Sequence, residues 1–198
     1  MTTTGSSPSR YGIVEKRRIA YAFFAAILLE GVIVSAIGPT LDALGLQTGS
    51  TTEQISILFT ANALGYLLGS LLAGRVLGRL RGTGAIALSL AIAAVFSALV
   101  PFLGSLWLLV VVFAAIGIPL GMVDVGSNTL LVWLFRRDVA PYMNALHLSF
   151  GIGAFLAPLL IDRYDAITGD AADTYWLFAA LMVPVALWMA RTPDPDQP

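Results

Sequence analysis

Cysteine is absent from this chain of 198 residues, so the sequence supports no disulfide framework and no thiol-based chemistry. It holds a single histidine, which is too few for a dedicated metal site, and we expect no cofactor. Charged residues are scarce at 12%, whereas soluble domains hold about 25%. Because the formal net charge is −1, the chain also lacks the basic surface that binding to nucleic acid requires.

Apolar residues are abundant instead. They make up 58% of the chain, and the mean hydropathy is +0.84. A helix needs about 20 mainly apolar residues to cross a bilayer. Six stretches meet this length, at 19–40, 54–74, 83–103, 105–134, 142–161 and 174–190. The sequence therefore predicts an all-α polytopic membrane domain over residues 19–190, flanked by polar tails at 1–18 and 191–198.

The distribution of lysine and arginine predicts the orientation, because cytoplasmic loops are enriched in these residues. If the N-terminus is inside, ten of the eleven basic residues lie on the cytoplasmic side and only Arg163 lies outside. The ten are Arg10, Lys16, Arg17, Arg18, Arg75, Arg79, Arg81, Arg136, Arg137 and Arg191. The first 18 residues also lack the apolar core of a signal peptide. We therefore expect both termini in the cytoplasm and the protein in the cell (inner) membrane.

The second and fifth predicted spans share a pattern. ANALGYLLGSLLAGRVLGR (61–79) aligns with MNALHLSFGIGAFLAPLLIDR (143–163) if the latter carries a two-residue insertion. This alignment pairs Asn62 with Asn144, Ala73 with Ala157 and Arg79 with Arg163. The two spans cross in opposite directions, which predicts three helices repeated with inverted topology, a 3+3 repeat known from transporters. Chance is the alternative, since alanine, leucine and glycine are common here.

Three stretches match the patterns of one family. They are GMVDVGSNTLL (121–131), NALHLSFGIGAFLAPLL (144–160) and LGYLLGSLLAG followed by RVLGRLRG (64–82). On these stretches the chain resembles the N-terminal half of a major facilitator superfamily transporter. The branch it resembles is that of the fucose–proton symporters and the sodium-dependent glucose transporter-like proteins. The resemblance covers six of that family's usual twelve helices, and it places an acid on Asp124 and an amide on Asn128.

The chain departs from the family pattern at two positions. The loop after the second span has Gly78 where the superfamily motif has an acid, and the first span has Ser35 where the symporters have one. The first span instead carries Glu30, five residues earlier. Proton coupling therefore cannot be transferred to this chain from the family pattern alone.

Glu30 and Asp124 are predicted near the middle of the membrane. Glu30 follows Arg18 by twelve residues and Asp124 precedes Arg136 by twelve, a rise of about 18 Å in each case. A carboxylate at a helix centre costs roughly 2.5–3.5 kcal/mol on insertion scales, so both are expected to face a cavity or a partner. We interpret Glu30 and Asp124 as proton-coupling residues and Asp124 also as a solute-binding residue. The alternative for Glu30 is a permanently neutral acid bonded to a neighbouring helix.

Polar side chains near these acids are candidates for solute binding. Asn128 shares a helix face with Asp124, and the two could instead form a structural pair that packs helices. The remaining candidates are two amides, two aromatic residues and the histidine, namely Asn62, Asn144, Tyr66, Trp133 and His147. Amides suit sugar hydroxyl groups and aromatic rings suit apolar sugar faces. An interhelical hydrogen bond is the alternative role for His147.

Arg75, Arg79 and Arg81 follow the second span. Their simplest role is to set topology and to meet anionic lipid headgroups. The resemblance adds a possible gating role for this loop.

The resemblance implies a secondary transporter of a small polar solute, a sugar or polyol, that works by alternating access. Because the predicted chain has six helices and both termini inside, a homodimer could supply the twelve-helix architecture, with proton-coupled symport as one mode. A split transporter with a separate partner chain and a non-transporting membrane subunit are the alternatives. No nucleophile–base constellation, metal cluster or cofactor motif predicts an enzyme.

Overall fold

The computed structural model describes residues 11–79 and 81–197. Seven α-helices run through this part of the chain: α1 (Ile13–Thr48), α2 (Thr52–Ile55), α3 (Ile57–Leu77), α4 (Gly82–Leu99), α5 (Leu106–Phe135), α6 (Ala140–Thr168) and α7 (Thr174–Arg191). Single 3₁₀ turns at Val100–Phe102, Arg136–Asp138 and Ala171–Asp173 connect or extend them. Arg10 and most of the predicted N-terminal tail lie outside the described residues.

Six segments within the described residues are long and apolar enough to cross a membrane. They are Ile13–Thr48, Thr52–Leu77, Gly82–Phe102, Leu106–Asp138, Ala140–Thr168 and Ala171–Arg191. The prediction of an all-helical chain with six candidate spans is therefore confirmed. α1 has 36 residues and is about 54 Å long, well beyond a hydrocarbon core of about 30 Å. The bounds of the membrane-embedded segments thus stay predictions, as does the division into a domain and two tails.

The long helices pack in pairs. α3 lies along α5, α1 lies along α6, and α4 packs against both α7 and α5. One hydrophobic cluster surrounds Phe113, Tyr175 and Phe178, and a second surrounds Phe23 and Phe135. These clusters join α1 to α5 and α7, so the helix pairs form one bundle.

α3 and α5 approach closely because glycines face the opposite backbone. A Cβ added at Gly69 would lie 2.7 Å from the carbonyl carbon of Ile118 and closer still to its oxygen. A Cβ added at Gly121 would likewise meet the carbonyl of Tyr66. Real Cβ atoms almost never come within 3.0 Å of such neighbours. Only glycine therefore allows this spacing, as in other tightly packed membrane helices.

α1 and α6 approach each other in the same way. A Cβ at Gly31 would meet the backbone carbonyl of Phe150, and a Cβ at Gly153 would meet that of Leu28. Gly31 lies between Phe150 and Ala154 of α6, and Gly153 lies between Leu28 and Val32 of α1, so residue 30 of α1 is level with about residue 152 of α6.

Asp194, in the segment after α7, connects three parts of the chain at one end of the bundle. Its carboxylate accepts hydrogen bonds from the Gly82 amide (3.0 Å) and from the amide (2.7 Å) and hydroxyl (2.6 Å) of Thr83, at the start of α4. Its backbone carbonyl accepts a hydrogen bond from the Tyr11 hydroxyl (2.9 Å). We call this arrangement the Asp194 clasp. A negative charge at a helix N-terminus also interacts favourably with the helix dipole.

The opposite end is joined by Gln47, near the end of α1. Its side-chain amide donates to the carbonyls of Val100 (2.9 Å) and Leu103 (2.8 Å), in the connection between α4 and α5. Trp176 of α7 also donates to the Ala98 carbonyl (3.1 Å). Each long helix therefore runs from one of these two ends of the bundle to the other.

Candidate functional site

Two carboxyl groups and a phenol from three helices meet inside the bundle. The hydroxyl of Tyr66 in α3 lies 2.6 Å from Oδ2 of Asp124 in α5 and 3.1 Å from Oε1 of Glu30 in α1. We call these three residues the carboxyl cluster. It brings together two side chains that are 94 positions apart in the sequence and that were predicted at the same depth.

The local packing explains why these groups meet. Gly121 precedes Asp124 by three residues and brings α5 against the backbone of α3 at Tyr66. Gly31 follows Glu30 directly and brings α1 against α6. A glycine within three residues of each acid thus allows close packing at this level, of α5 against α3 and of α1 against α6.

The two acids have different surroundings. Glu30 is 1% exposed, and its second oxygen, Oε2, has no hydrogen-bond partner within the described chain. Asp124 is partly exposed, and its Oδ1 accepts a hydrogen bond from the Asn128 amide at 2.8 Å. A buried carboxylate without partners is costly, whereas a hydrogen-bonded and partly solvated one is not. The two acids of the carboxyl cluster thus differ in burial and in hydrogen bonding.

Asn128 and Asn62 make different contacts. Asn128 donates to both the backbone carbonyl (2.9 Å) and the carboxylate of Asp124, so it holds that carboxylate in place and stays partly exposed. Asn62 is buried, and its amide donates to the Phe113 carbonyl (3.2 Å) across the interface between α3 and α5. The structure thus leaves Asn128 partly exposed beside Asp124 and places Asn62 in the helix packing.

His147 and Asn144 both lie exposed on α6. Because Glu30 is level with about residue 152 of α6, His147 lies about 8 Å from that level along the axis and Asn144 about 12 Å. The structure does not place either side chain in the carboxyl cluster. Both are exposed on α6, on the side of Glu30 that leads toward the start of that helix.

Trp133 and the three arginines lie away from the cluster. Trp133 is nine residues, or about 14 Å, beyond Asp124 and lines a small cleft with Tyr11 and Arg136. Arg75, Arg79 and Arg81 are exposed around the connection between α3 and α4. The sequence placed Trp133 among the solute-binding residues, but the structure puts it at the end of the bundle.

Two features were not anticipated. Tyr66 was expected to stack on a sugar ring, yet its hydroxyl lies between the two acids. Asp194 was treated as part of a polar tail. An aspartate can cap a helix. However, no pattern around Asp194 relates it to the first residue of α4, Gly82, which lies 112 residues earlier in the chain.

A large groove on the described surface lies elsewhere. It has a volume of about 700 Å³ between α4 and α7, and its lining is aliphatic or glycine throughout, mostly alanine and leucine. Because it offers no polar side chain, it does not suit a sugar or another polar solute.

These features define a class: a polytopic membrane protein with acidic side chains enclosed by its helices. Comparison with known proteins then gives the family. The model of the Major Facilitator Superfamily matches residues 23–198. The chain belongs to this superfamily, which confirms the resemblance and makes it an integral membrane protein.

Named relatives are similar to most of this chain. Sodium-dependent glucose transporter 1 of Homo sapiens is 36% identical over 136 residues, which cover 69% of this chain and 26% of that protein. The protein of the same name from Danio rerio is 30% identical over 152 residues, covering 77% and 26%. Major facilitator superfamily domain-containing protein 4A of Homo sapiens is 39% identical over 145 residues, covering 72% and 28%. The matched segment spans about a quarter of these relatives.

Proposed function

We propose that this chain transports a small polar solute, a sugar or polyol, by alternating access, as one half of a twelve-helix assembly. The observation that carries the proposal is the carboxyl cluster. Ionisable groups within membrane spans are costly and mark pathways for solutes, ions or protons. Glu30 stands at the middle of the 36-residue helix α1. Transporters of this architecture bind their solutes near the membrane midplane.

The relatives support a sugar as the solute. Two of them are named sodium-dependent glucose transporter, and we extend the solute class of that name to this chain. The proposed solute-binding residues are those with exposed polar groups, Asp124, Asn128, His147 and Asn144. Tyr66 joins the two acids, Asn62 donates across the interface between α3 and α5, and Trp133 lies at the end of the bundle. We propose these three as secondary solute-binding residues.

The coupling ion is either a proton or sodium. Two acids that contact one phenol inside the bundle favour a proton, whereas the names of the relatives favour sodium. We propose proton coupling through Glu30 and Asp124. Uptake driven by a sodium gradient at constant pH would favour the alternative.

The glycine contacts support the proposed inverted repeat. If residues of α5 correspond to those of α1 at an offset of 90, and residues of α6 to those of α3 at 84, two contacts coincide. Gly31 against Phe150 then corresponds to Gly121 against Tyr66. In the same way Gly153 against Leu28 corresponds to Gly69 against Ile118. The offset of 84 is also the one that pairs Ala73 with Ala157 and Arg79 with Arg163 in the sequence.

The Asp194 clasp supports the proposed orientation. It joins the segment before α1, the start of α4 and the segment after α7 at one end of the bundle. The exposed residues Arg75, Arg79 and Arg81 lie next to that start. An end rich in arginine belongs in the cytoplasm, so we propose that both termini are inside, in the cell (inner) membrane, and that these arginines meet lipid headgroups or gate the loop.

A second copy of the chain is the proposed partner. α3 exposes Leu64, Leu67, Leu68 and Leu71, and α6 exposes Leu148, Ile152, Phe155 and Leu159. Because the two halves of this fold are parallel repeats, a second copy with the same topology could cover these faces. The mass of the protein in lipid nanodiscs tests this: a dimer supports the homodimer, and a strict monomer points to a separate partner chain.

Uptake of labelled sugars by the purified chain in liposomes tests the transport proposal. We expect uptake that depends on a proton gradient and is lost in Asp124→Asn and Glu30→Gln. Glu53→Gln removes an exposed carboxylate at the end of the bundle and is the matched control. Uptake by the double variant Glu30→Gln, Asp124→Asn equal to that of the wild type would refute the assigned roles.

A further inference from the structure

The number of protons at the carboxyl cluster is constrained by its geometry. Tyr66 carries one phenolic proton but contacts two carboxyl groups. The contact of 2.6 Å with Asp124 has the length of a hydroxyl that donates to an ionised carboxylate. The phenol can therefore donate to Asp124 at this distance. The phenol can also donate toward Glu30 at 3.1 Å, and a protonated Glu30 carboxyl can instead donate to the phenol oxygen across the same contact.

The surroundings of Glu30 agree with this assignment. The titratable groups that face it are Tyr66 from α3 and Asp124 from α5, and neither is a cation. α6 contributes backbone at Phe150, with His147 exposed one turn away. α7 has no charged residue between Thr174 and Ala190. Glu30 is almost fully buried, and in the described part of the chain the Tyr66 hydroxyl contacts both Glu30 and the partly exposed Asp124. These contacts connect the buried acid to the exposed one.

We propose that Tyr66 relays protons between Glu30 and Asp124. The Glu30 O–H bond breaks as its proton bonds to the phenol oxygen, and the original phenol O–H bond breaks as that proton bonds to Oδ2 of Asp124. Glu30 becomes a carboxylate, Asp124 becomes a neutral acid, and Tyr66 keeps one proton throughout. The reverse transfer reloads Glu30. This role deepens the proposed function, because it links the sealed acid to the acid that solute can reach.

Infrared spectroscopy of the full chain in lipid tests the relay without any transported solute. A protonated carboxyl gives a carbonyl stretch that shifts in heavy water, and the band lost in Glu30→Gln identifies Glu30. The rate of the shift after transfer to heavy water measures proton access to Glu30. Tyr66→Phe keeps the ring and removes the hydroxyl. We expect it to slow the exchange by about tenfold or more, in line with the size of proton-transfer effects.

Two further variants sharpen the test. Tyr175→Phe removes another buried hydroxyl, which lies 3.1 Å from Thr40 and away from the carboxyl cluster, and we expect the wild-type rate. Asp124→Asn removes the outer end of the relay, and we expect slow exchange even if Tyr66→Phe folds poorly. Equal exchange rates in the wild type, Tyr66→Phe and Asp124→Asn would overturn the relay. So would the absence of any protonated carboxyl band assigned to Glu30.

Sugar flux separates the relay from the transport proposal. If the chain transports, Tyr66→Phe should reduce uptake driven by a proton gradient much more than exchange of labelled for unlabelled sugar at equal pH. Loss of both kinds of flux would indicate a structural role and overturn the relay. A chain that shows slowed infrared exchange in Tyr66→Phe but no flux in the wild type would refute only the transport proposal.

Discussion

Gly69→Ala should separate α3 from α5. The added methyl group would meet the backbone carbonyl of Ile118, which cannot move aside as a side chain can. Bringing the Cβ–oxygen distance to the 3.0 Å minimum of real contacts requires the two backbones to part by about 1 Å. The same shift would lengthen the Tyr66–Asp124 contact from 2.6 Å to about 3.6 Å, which is no longer a hydrogen bond.

The expected loss of stability follows from these contacts. Overpacking typically costs 1–3 kcal/mol, and a lost hydrogen bond to a charged group costs about 1.5–3 kcal/mol. Replacing glycine by alanine within a helix stabilises that helix by about 1 kcal/mol. We therefore expect Gly69→Ala to lower the free energy of unfolding by about 1.5–5 kcal/mol.

Gly74→Ala provides the matched control in the same helix. A Cβ at Gly74 has no neighbour within 4 Å, so only the gain of about 1 kcal/mol in helix propensity applies. Thermal unfolding of both variants in lipid nanodiscs measures the difference. A lower melting temperature for Gly69→Ala and an unchanged or higher one for Gly74→Ala is expected. Equal melting temperatures would refute the inferred backbone contact between α3 and α5.

Three further predictions concern other contacts. Asp194→Ala removes the acceptor of three hydrogen bonds at the start of α4 and should destabilise the protein by about 1–3 kcal/mol, measured by thermal unfolding; no change would show that the clasp adds nothing. Gln47→Ala leaves two carbonyls without their donor, and hydrogen exchange should rise selectively at residues 100–106, whereas a uniform rise would argue against a local role. Glu30→Gln should fold with a melting temperature near that of the wild type, while Glu30→Lys, which buries a charge, should reduce membrane insertion in expression assays; equal insertion would contradict the burial of this site.

The helices and the depth of the acids were predictable from composition and spacing. An apolar run of about 20 residues determines a candidate span wherever it occurs, and counting from Arg18 and Arg136 placed Glu30 and Asp124 at similar depth. The i, i+4 spacing also anticipated the contact between Asp124 and Asn128, because both lie on one helix face.

The direction in which each side chain points was not predictable in the same way. Helices that are apolar all round carry no stripe that tells a packed face from an open one. Asn62 and Tyr66 therefore looked alike in the sequence, yet one donates to the Phe113 carbonyl and the other lies between two acids. Asn144 and His147 were correctly identified as polar positions on one face of a helix, but no local signal gives their neighbours.

The Asp194 clasp has a consequence for the order of events during synthesis. Gly82 and Thr83 are synthesised 112 and 111 residues before Asp194, whose carboxylate accepts from their amides. At 5–20 residues per second, that interval lasts roughly 6–22 s. During this time water must solvate the start of α4. The hydrogen bonds of the Asp194 clasp can form only after α7 and Asp194 have been synthesised. Their formation therefore follows the synthesis of all six candidate spans.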